Sequence, residues 1–119
     1  MTALPSPLTE ATFSEATAQG LTLVDFWAPW CGPCQVVGPS VDQLAQEYAG
    51  RVTVGKVNVD DNPGLVAQFH IQGIPALLLL RDGQPVDGVV GAHPKHTIAR
   101  MLDRHLTGRT AAPQDQETL

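Results

Sequence analysis

One continuous apolar segment near the start of the chain constrains the fold most strongly. Residues 21–28 read LTLVDFWA, and the only charged residue among them is Asp25. A strand with one solvent-facing side alternates apolar and polar residues, whereas a strand covered on both faces is apolar almost throughout. The segment therefore predicts a central strand in a sheet that has helices on both faces.

Strand and helix patterns alternate along the rest of the chain. Residues 35–48 place apolar side chains three and four positions apart, which is typical of a helix, and Pro39 is expected to bend it. Further strands are predicted at 51–59, 74–80 and 85–90, and further helices at 63 to about 69 and at 94–106. Parallel strands need crossover helices, whereas a hairpin at 81–84 joins the last two strands. The order predicts an α/β fold with a mixed sheet of four or five strands, flanked by helices on both faces.

Length and charge limit the possible classes of function. A chain of 119 residues can form one domain with its own core. Its formal net charge is −5 at pH 7, so it lacks the cationic surface needed to bind nucleic acid or an anionic membrane. The longest apolar run, residues 74–80, is shorter than half a membrane span. We therefore expect neither nucleic acid nor a membrane as a partner.

The two ends of the chain differ in composition from its middle. Residues 1–7 contain Pro5 and Pro7, which disfavour strand pairing, so an N-terminal arm or a weak edge strand is expected there. Residues 8–106 form the predicted domain. Residues 107–119 are polar and predict a flexible tail. The first twenty residues contain neither Lys nor Arg and no apolar run of signal-peptide length, so a cytoplasmic location is expected.

The chain contains two cysteines, Cys31 and Cys34, which are separated by Gly32 and Pro33. A disulfide between them closes so short a loop that it restrains the unfolded chain little, so a structural staple is excluded. Three interpretations of the cysteine pair remain, namely redox chemistry, inert thiols and half of a metal site. Structural zinc usually needs four protein ligands, and the four histidines of the chain lack matching spacing. Redox chemistry is therefore favoured, and no metal site is expected.

The cysteine pair lies between the end of the buried strand and the first turn of the following helix. The first backbone amides of a helix lack partners and the helix dipole is positive there, so a thiolate on Cys31 is favoured. Cys34 is about one helical turn away, close enough for its sulfur to meet that of Cys31. Gly32 permits a tight turn, and Pro33 fixes φ at the helix start without removing a needed amide donor.

Several segments together resemble the thioredoxin family. The segment VDFWAPWCGPC at residues 24–34 is similar to the active-site segment of that family. The segments that follow in the family's order and spacing are KVNVD at 56–60, NP at 62–63, GIP at 73–75, DG at 82–83 and GA at 91–92. The resemblance covers residues from about 8 to 106 and implies the thioredoxin fold.

The resemblance implies a chemical role for four residues. Cys31 would attack the disulfide of a client protein, and Cys34 would resolve the resulting mixed disulfide. Asp25 would be the family's buried acid, which exchanges protons with Cys34, and Lys56 would be its buried partner. Burial raises the pKa of a carboxyl group unless a cation offsets it, which suits Asp25 to proton transfer near neutral pH.

The resemblance also implies a surface that binds extended client segments. Ile74 and Pro75 match the segment whose proline is cis and whose preceding backbone pairs with the client. Trp30, Gly91 and Ala92 would complete an apolar groove around the sulfur atoms.

Three residues depart from the family pattern. Gln35 stands where Lys or Arg is usual, which removes a cation next to the site and leaves the reduction potential and the choice of partner open. Ala76 stands where Thr is usual, and we expect this change to matter little. His70 stands where Gly is common at a helix end, which requires a left-handed backbone that His tolerates only moderately.

The expected function is that of a general protein-disulfide reductase. The resemblance implies a monomer with no bound cofactor, which acts on disulfide-containing client proteins and receives electrons from NADPH through a flavin-dependent thioredoxin reductase. One alternative is a disulfide oxidant or isomerase of the same fold, although those relatives usually carry His between their cysteines. The other is a redox-independent binding module that presents the groove around Trp30 and Ile74 to a partner protein.

Overall fold

A five-stranded mixed sheet with helices on both faces forms the described part of the chain, which is residues 3–107 of a computed structural model. The strands are β1 (Ser6–Pro7), β2 (Leu21–Trp27), β3 (Val52–Asn58), β4 (Ala76–Arg81) and β5 (Gln84–Val90). The helices are α1 (Phe13–Ala16), α2 (Gly32–Glu47), α3 (Pro63–Gln68) and α4 (Lys95–Thr107). The predicted α/β class, with a mixed sheet between two layers of helices, is confirmed.

Strand β2 lies at the centre of the sheet, whose order is β1-β3-β2-β4-β5. It runs parallel to β3 and antiparallel to β4, while β4 and β5 form the predicted hairpin. Asp25 lies opposite Lys56 of β3 on one side and Leu77 of β4 on the other. The most interior strand of the sheet therefore carries the acid and ends just before the cysteine pair.

The sheet separates two apolar cores because alternate residues of a strand point to opposite faces. One core contains Leu21 and Leu23 of β2 and is covered by α2 and α4. The other contains Val24 and Phe26 and is covered by α1 and α3. Both faces of β2 are thus buried, which explains the continuous apolar run that the sequence shows there.

The structure differs from the sequence predictions mainly at the ends of elements. Helix α2 begins at Gly32 rather than residue 35, and the four-residue helix α1 was not predicted. Strand β4 begins at Ala76, because the proline that precedes it has no amide to donate to a ladder. His70 adopts φ 55°, in the left-handed region. None of the helices within residues 3–107 is long and apolar enough to cross a membrane.

The two ends of the chain are described only in part. Strand β1 is two residues long and pairs in parallel with β3, through Ser6 opposite Gly55 and Pro7 opposite Lys56. Helix α4 extends to Thr107, the residue at which the sequence analysis began the tail. The rest of the predicted tail, residues 108–119, lies outside the described residues, as do residues 1–2.

Candidate active site

The cysteine pair occupies the junction between β2 and α2. Cys31 is the N-cap of α2, with extended backbone angles, and its amide donates a hydrogen bond of 3.2 Å to the Ala28 carbonyl. Pro33 stands in the first turn of the helix, where a missing amide hydrogen leaves no helical bond unmade. Gly32 begins the helix and is exposed. The local sequence therefore places a sulfur atom directly at the positive end of a 16-residue helix.

The two sulfur atoms are joined in a disulfide, with 5.3 Å between the Cα atoms of Cys31 and Cys34. Sγ of Cys31 also accepts a hydrogen bond of 3.2 Å from the Cys34 amide, as an N-cap side chain does. Each cysteine is only 5% exposed and packs with Ala28 against Trp27 and Ile74. This arrangement favours negative charge on Cys31 when the pair is reduced, because an amide of the first turn points at its sulfur.

Trp30 is the prominent exposed side chain beside the disulfide, with 68% of its surface open to solvent. Its indole Nε1 donates to both carboxylate oxygens of Asp60, at 2.9 and 3.2 Å. Asp60 is fixed in turn, because its amide donates 2.9 Å to the side chain of Asn58 at the end of β3. Asp60 belongs to the segment KVNVD at residues 56–60, but it was not predicted as part of the site. The ring is thus held in place although it is exposed.

A small apolar cavity of about 180 Å³ adjoins Trp30. Ile74, Gly73 and Val59 also line this cavity. The cavity therefore connects the exposed tryptophan with the segment that precedes Pro75.

The segment at Ile74 and Pro75 meets the loop after β5. The bond between these two residues is cis, and the Pro75 carbonyl accepts a hydrogen bond of 2.8 Å from the Gly91 amide. Gly91 has φ 103°, a conformation that other residues rarely adopt, and Ala92 beside it is exposed. The structure therefore brings Ile74, Pro75, Gly91 and Ala92 together at the cysteine end of the sheet.

Asp25 is an acid buried in the interior of the sheet. It is 1% exposed, and its Oδ1 has no hydrogen-bond partner within residues 3–107. Burial raises its pKa to about 6, while the charge of Lys56 lowers this pKa and the charge of Asp42 on α2 raises it. Asp42 was missed by the sequence analysis, since only the folded helix brings it near β2. Burial therefore moves the pKa of this carboxyl group towards neutral pH.

Lys56 does not form a salt bridge with Asp25 or with any other carboxylate of residues 3–107. Its Nζ lies 5.3 Å from the centroid of the Trp27 ring instead. Within the same part of the chain, no group of three or more His, Cys, Asp or Glu side chains could hold a metal ion.

These features define a class of protein: a thiol–disulfide oxidoreductase, in which two cysteines at a helix start follow a strand with a buried acid and adjoin an exposed aromatic residue. The family model of thioredoxin matches residues 5–104. Thioredoxin 1 of Synechococcus elongatus is 52% identical over 101 residues, which cover 83% of this chain and 94% of the relative. A thioredoxin of Staphylococcus aureus is 46% identical over 99 residues, covering 83% and 95%.

The chain belongs to the thioredoxin family. Its activity is the reduction of protein disulfides by dithiol–disulfide exchange at the pair formed by Cys31 and Cys34. The exchange needs no bound cofactor, because the electrons are carried by the two sulfur atoms, and its clients are proteins that contain disulfides.

Proposed function

We propose that Cys31 is the attacking nucleophile and Cys34 the resolving thiol of this reductase. The observation that supports this assignment most directly is the hydrogen bond from the Cys34 amide to Sγ of Cys31 at the start of α2. Exposure does not distinguish the two cysteines, since both residues are 5% exposed. The position at the helix start distinguishes Cys31 from Cys34, because the free amides and the positive dipole there stabilise a thiolate on Cys31.

The reaction then proceeds through two exchanges. The Cys31 thiolate attacks one sulfur of the client disulfide, the client S–S bond breaks, and the second client sulfur leaves as a thiolate that takes up a proton. The Cys34 thiolate next attacks Sγ of Cys31, which releases the first client sulfur. The client gains two electrons and two protons, and this protein becomes the disulfide described above.

Asp25 is the proposed acceptor of the proton that Cys34 must lose before it attacks. A base is most effective when its pKa lies near the working pH, and burial brings the pKa of Asp25 to about 6. Lys56, across the strand pair from Asp25, keeps this pKa from rising further. The two residues together set the protonation state of the carboxyl group.

Client binding is proposed to use the surface around the disulfide. Lowering a thiol pKa from about 8.5 to about 7 speeds its attack only about threefold, because the nucleophilicity of the thiolate falls as the pKa falls. Most of the rate must therefore come from positioning the client. The backbone before Pro75 would pair with an extended client segment, and Trp30, Gly91 and Ala92 would flank it.

The electron supply and the setting of the protein are also proposals. The protein acts as a cytoplasmic monomer and is reduced by a flavin-dependent thioredoxin reductase that uses NADPH. The family membership and the net charge of −5 support this proposal. A reduction potential near −270 mV, typical of thioredoxins, is expected in glutathione buffers. A value near −180 mV, typical of disulfide isomerases, would contradict the role of a reductase.

Single-cysteine variants test the assignment of the two thiols. Cys31→Ser and Cys34→Ser each abolish insulin reduction, since each removes half of the dithiol. The two variants differ in their intermediates: Cys34→Ser accumulates a mixed disulfide with the client through Cys31, whereas Cys31→Ser does not. Mass spectrometry that finds the adduct mainly on Cys34 of the Cys31→Ser variant would reverse the roles.

A further inference from the structure

The ammonium group of Lys56 has a close partner in the indole ring of Trp27. The distance of 5.3 Å from Nζ to the ring centroid is within the range in which a cation is attracted to the face of an aromatic ring. Lys56 is half-buried and forms no salt bridge within the described part of the chain. The ring is therefore a direct contact of the ammonium, whereas no carboxylate of the described residues lies within salt-bridge distance of it.

The sheet places this pair beside Asp25. Strands β2 and β3 run parallel, with Asp25 opposite Lys56 and Trp27 opposite Asn58. Residues two apart on a strand share a face, so the carboxyl, the indole and the ammonium all belong to the face covered by α2. A cation held over the Trp27 ring thus stays next to the strand position that carries the buried acid.

The ammonium has room to move elsewhere. A cavity of about 240 Å³ adjoins Trp27 and Lys56, and Pro7 and Leu8 of the N-terminal segment line it. Asp61 lines the same cavity and offers a competing carboxylate. A flexible lysine side chain with this freedom needs an additional attraction to remain beside Asp25.

We propose that Trp27 is a positioning residue, which keeps the Lys56 ammonium beside the Asp25 carboxyl group. The consequence for catalysis rests on the proposed role of Asp25 as a proton acceptor. The charged groups that act on Asp25 are Lys56 from β3, which lowers its pKa, and Asp42 from α2, which raises it. From β4 the facing residue is Leu77, which does not titrate. Loss of the ring therefore frees the ammonium and raises the pKa of Asp25.

The test is a titration of the Asp25 carboxyl carbon by NMR in the oxidised protein, in which the two cysteines do not titrate. Trp27→Leu is expected to raise the midpoint by about 0.5 to 1 pH unit, as loss of a nearby opposite charge does, and Trp27→Phe is expected to raise it less. Lys56→Met raises the midpoint as well, and adding Trp27→Leu to it produces no further rise. Trp30→Leu, which removes the other tryptophan, is the matched control and leaves the midpoint unchanged.

A second measurement uses the unaltered protein and stays informative if Trp27→Leu does not fold. The ε-methylene protons of Lys56 should be shifted upfield by the ring current of Trp27. The proposal is overturned if this shift is absent, if Trp27→Leu leaves the Asp25 midpoint unchanged, or if the same rise appears in the Lys56→Met background. The titration involves no turnover, so its failure is distinguishable from a failure of the proposed cysteine roles in insulin reduction.

Discussion

Replacing Asp25 by asparagine should remove a loss of stability that the wild-type protein undergoes as the pH rises to neutral and alkaline values. The carboxyl group has a pKa of about 6 in the folded protein, compared with 3.8 for an unperturbed aspartate. The folded state therefore holds this proton up to a higher pH than the unfolded chain does. The stability associated with the neutral carboxyl is complete below pH 3.8 and is lost as the pH rises through about 6.

The size of this loss follows from the two pKa values. They differ by roughly two, and each pKa unit corresponds to about 1.4 kcal/mol, so the wild-type protein loses about 3 kcal/mol of unfolding free energy between pH 3.8 and pH 8. Asparagine carries no titratable proton and escapes the loss. Any penalty for burying its amide is the same at every pH, so the pH dependence of the difference between the two proteins reports on ionisation alone.

Urea unfolding of the oxidised proteins at pH 4, 6 and 8 measures this effect. The stability of Asp25→Asn relative to wild type should rise by about 2.5 kcal/mol from pH 4 to pH 8, with most of the rise complete by pH 7. Asp61→Asn, at an exposed acid, serves as the control and should show a nearly constant difference. A difference for Asp25→Asn that does not change with pH would refute the argument that burial raises the pKa of this carboxyl.

Three other substitutions have expected outcomes. The buried hydroxyl of Thr22 has no hydrogen-bond partner within residues 3–107. Thr22→Val should therefore raise the unfolding free energy, measured by urea unfolding, by about 1 kcal/mol. Thr53→Val, at the exposed position opposite Thr22 on β3, should change this free energy little. Asp60→Ala frees the ring of Trp30 and should lower kcat/KM for a protein client about two- to fivefold. Asp60→Asn retains an acceptor oxygen and should lower kcat/KM less. Equal losses in the two variants would argue against a role for the hydrogen bond. Gln35→Lys places a cation near the helix start and should stabilise the reduced thiolate, which raises the reduction potential by about 5 to 20 mV. Gln35→Glu should lower the reduction potential. Shifts of the same sign in both variants would contradict this electrostatic account.

The arrangement of long elements could be predicted because their patterns are periodic. The apolar run at residues 21–28 and the valine-rich segment at 51–59 correspond to β2 and β3, the buried pair at the centre of the sheet. Helix α1 escaped prediction because four residues form little more than one turn and show no period. The predicted start of α2 at residue 35 is three residues late because the first turn, Gly32 to Cys34, contains glycine and proline rather than a helical apolar pattern.

The site was predictable where its residues are neighbours in sequence and not where they meet only in the fold. The cysteine pair and the adjacent Trp30 form one continuous segment. The hydrogen bond of Trp30 to Asp60, in contrast, joins residues thirty positions apart. The effect of Asp42 on Asp25 likewise depends on how α2 packs over the sheet. Such contacts are set by tertiary packing, on which local periodicity carries no information.

The position of Asp25 shows why stability and chemistry conflict within a single strand. The same face of β2 carries Leu21 and Leu23, which are packed in the core under α2, and then the acid. An apolar residue at the third position would continue the core and avoid the loss of about 3 kcal/mol above pH 6. Yet an exposed acid would have a pKa far below neutral and would accept protons poorly from a thiol. The burial that weakens the fold is thus the same property that brings the carboxyl group into the pH range where a dithiol reductase can use it.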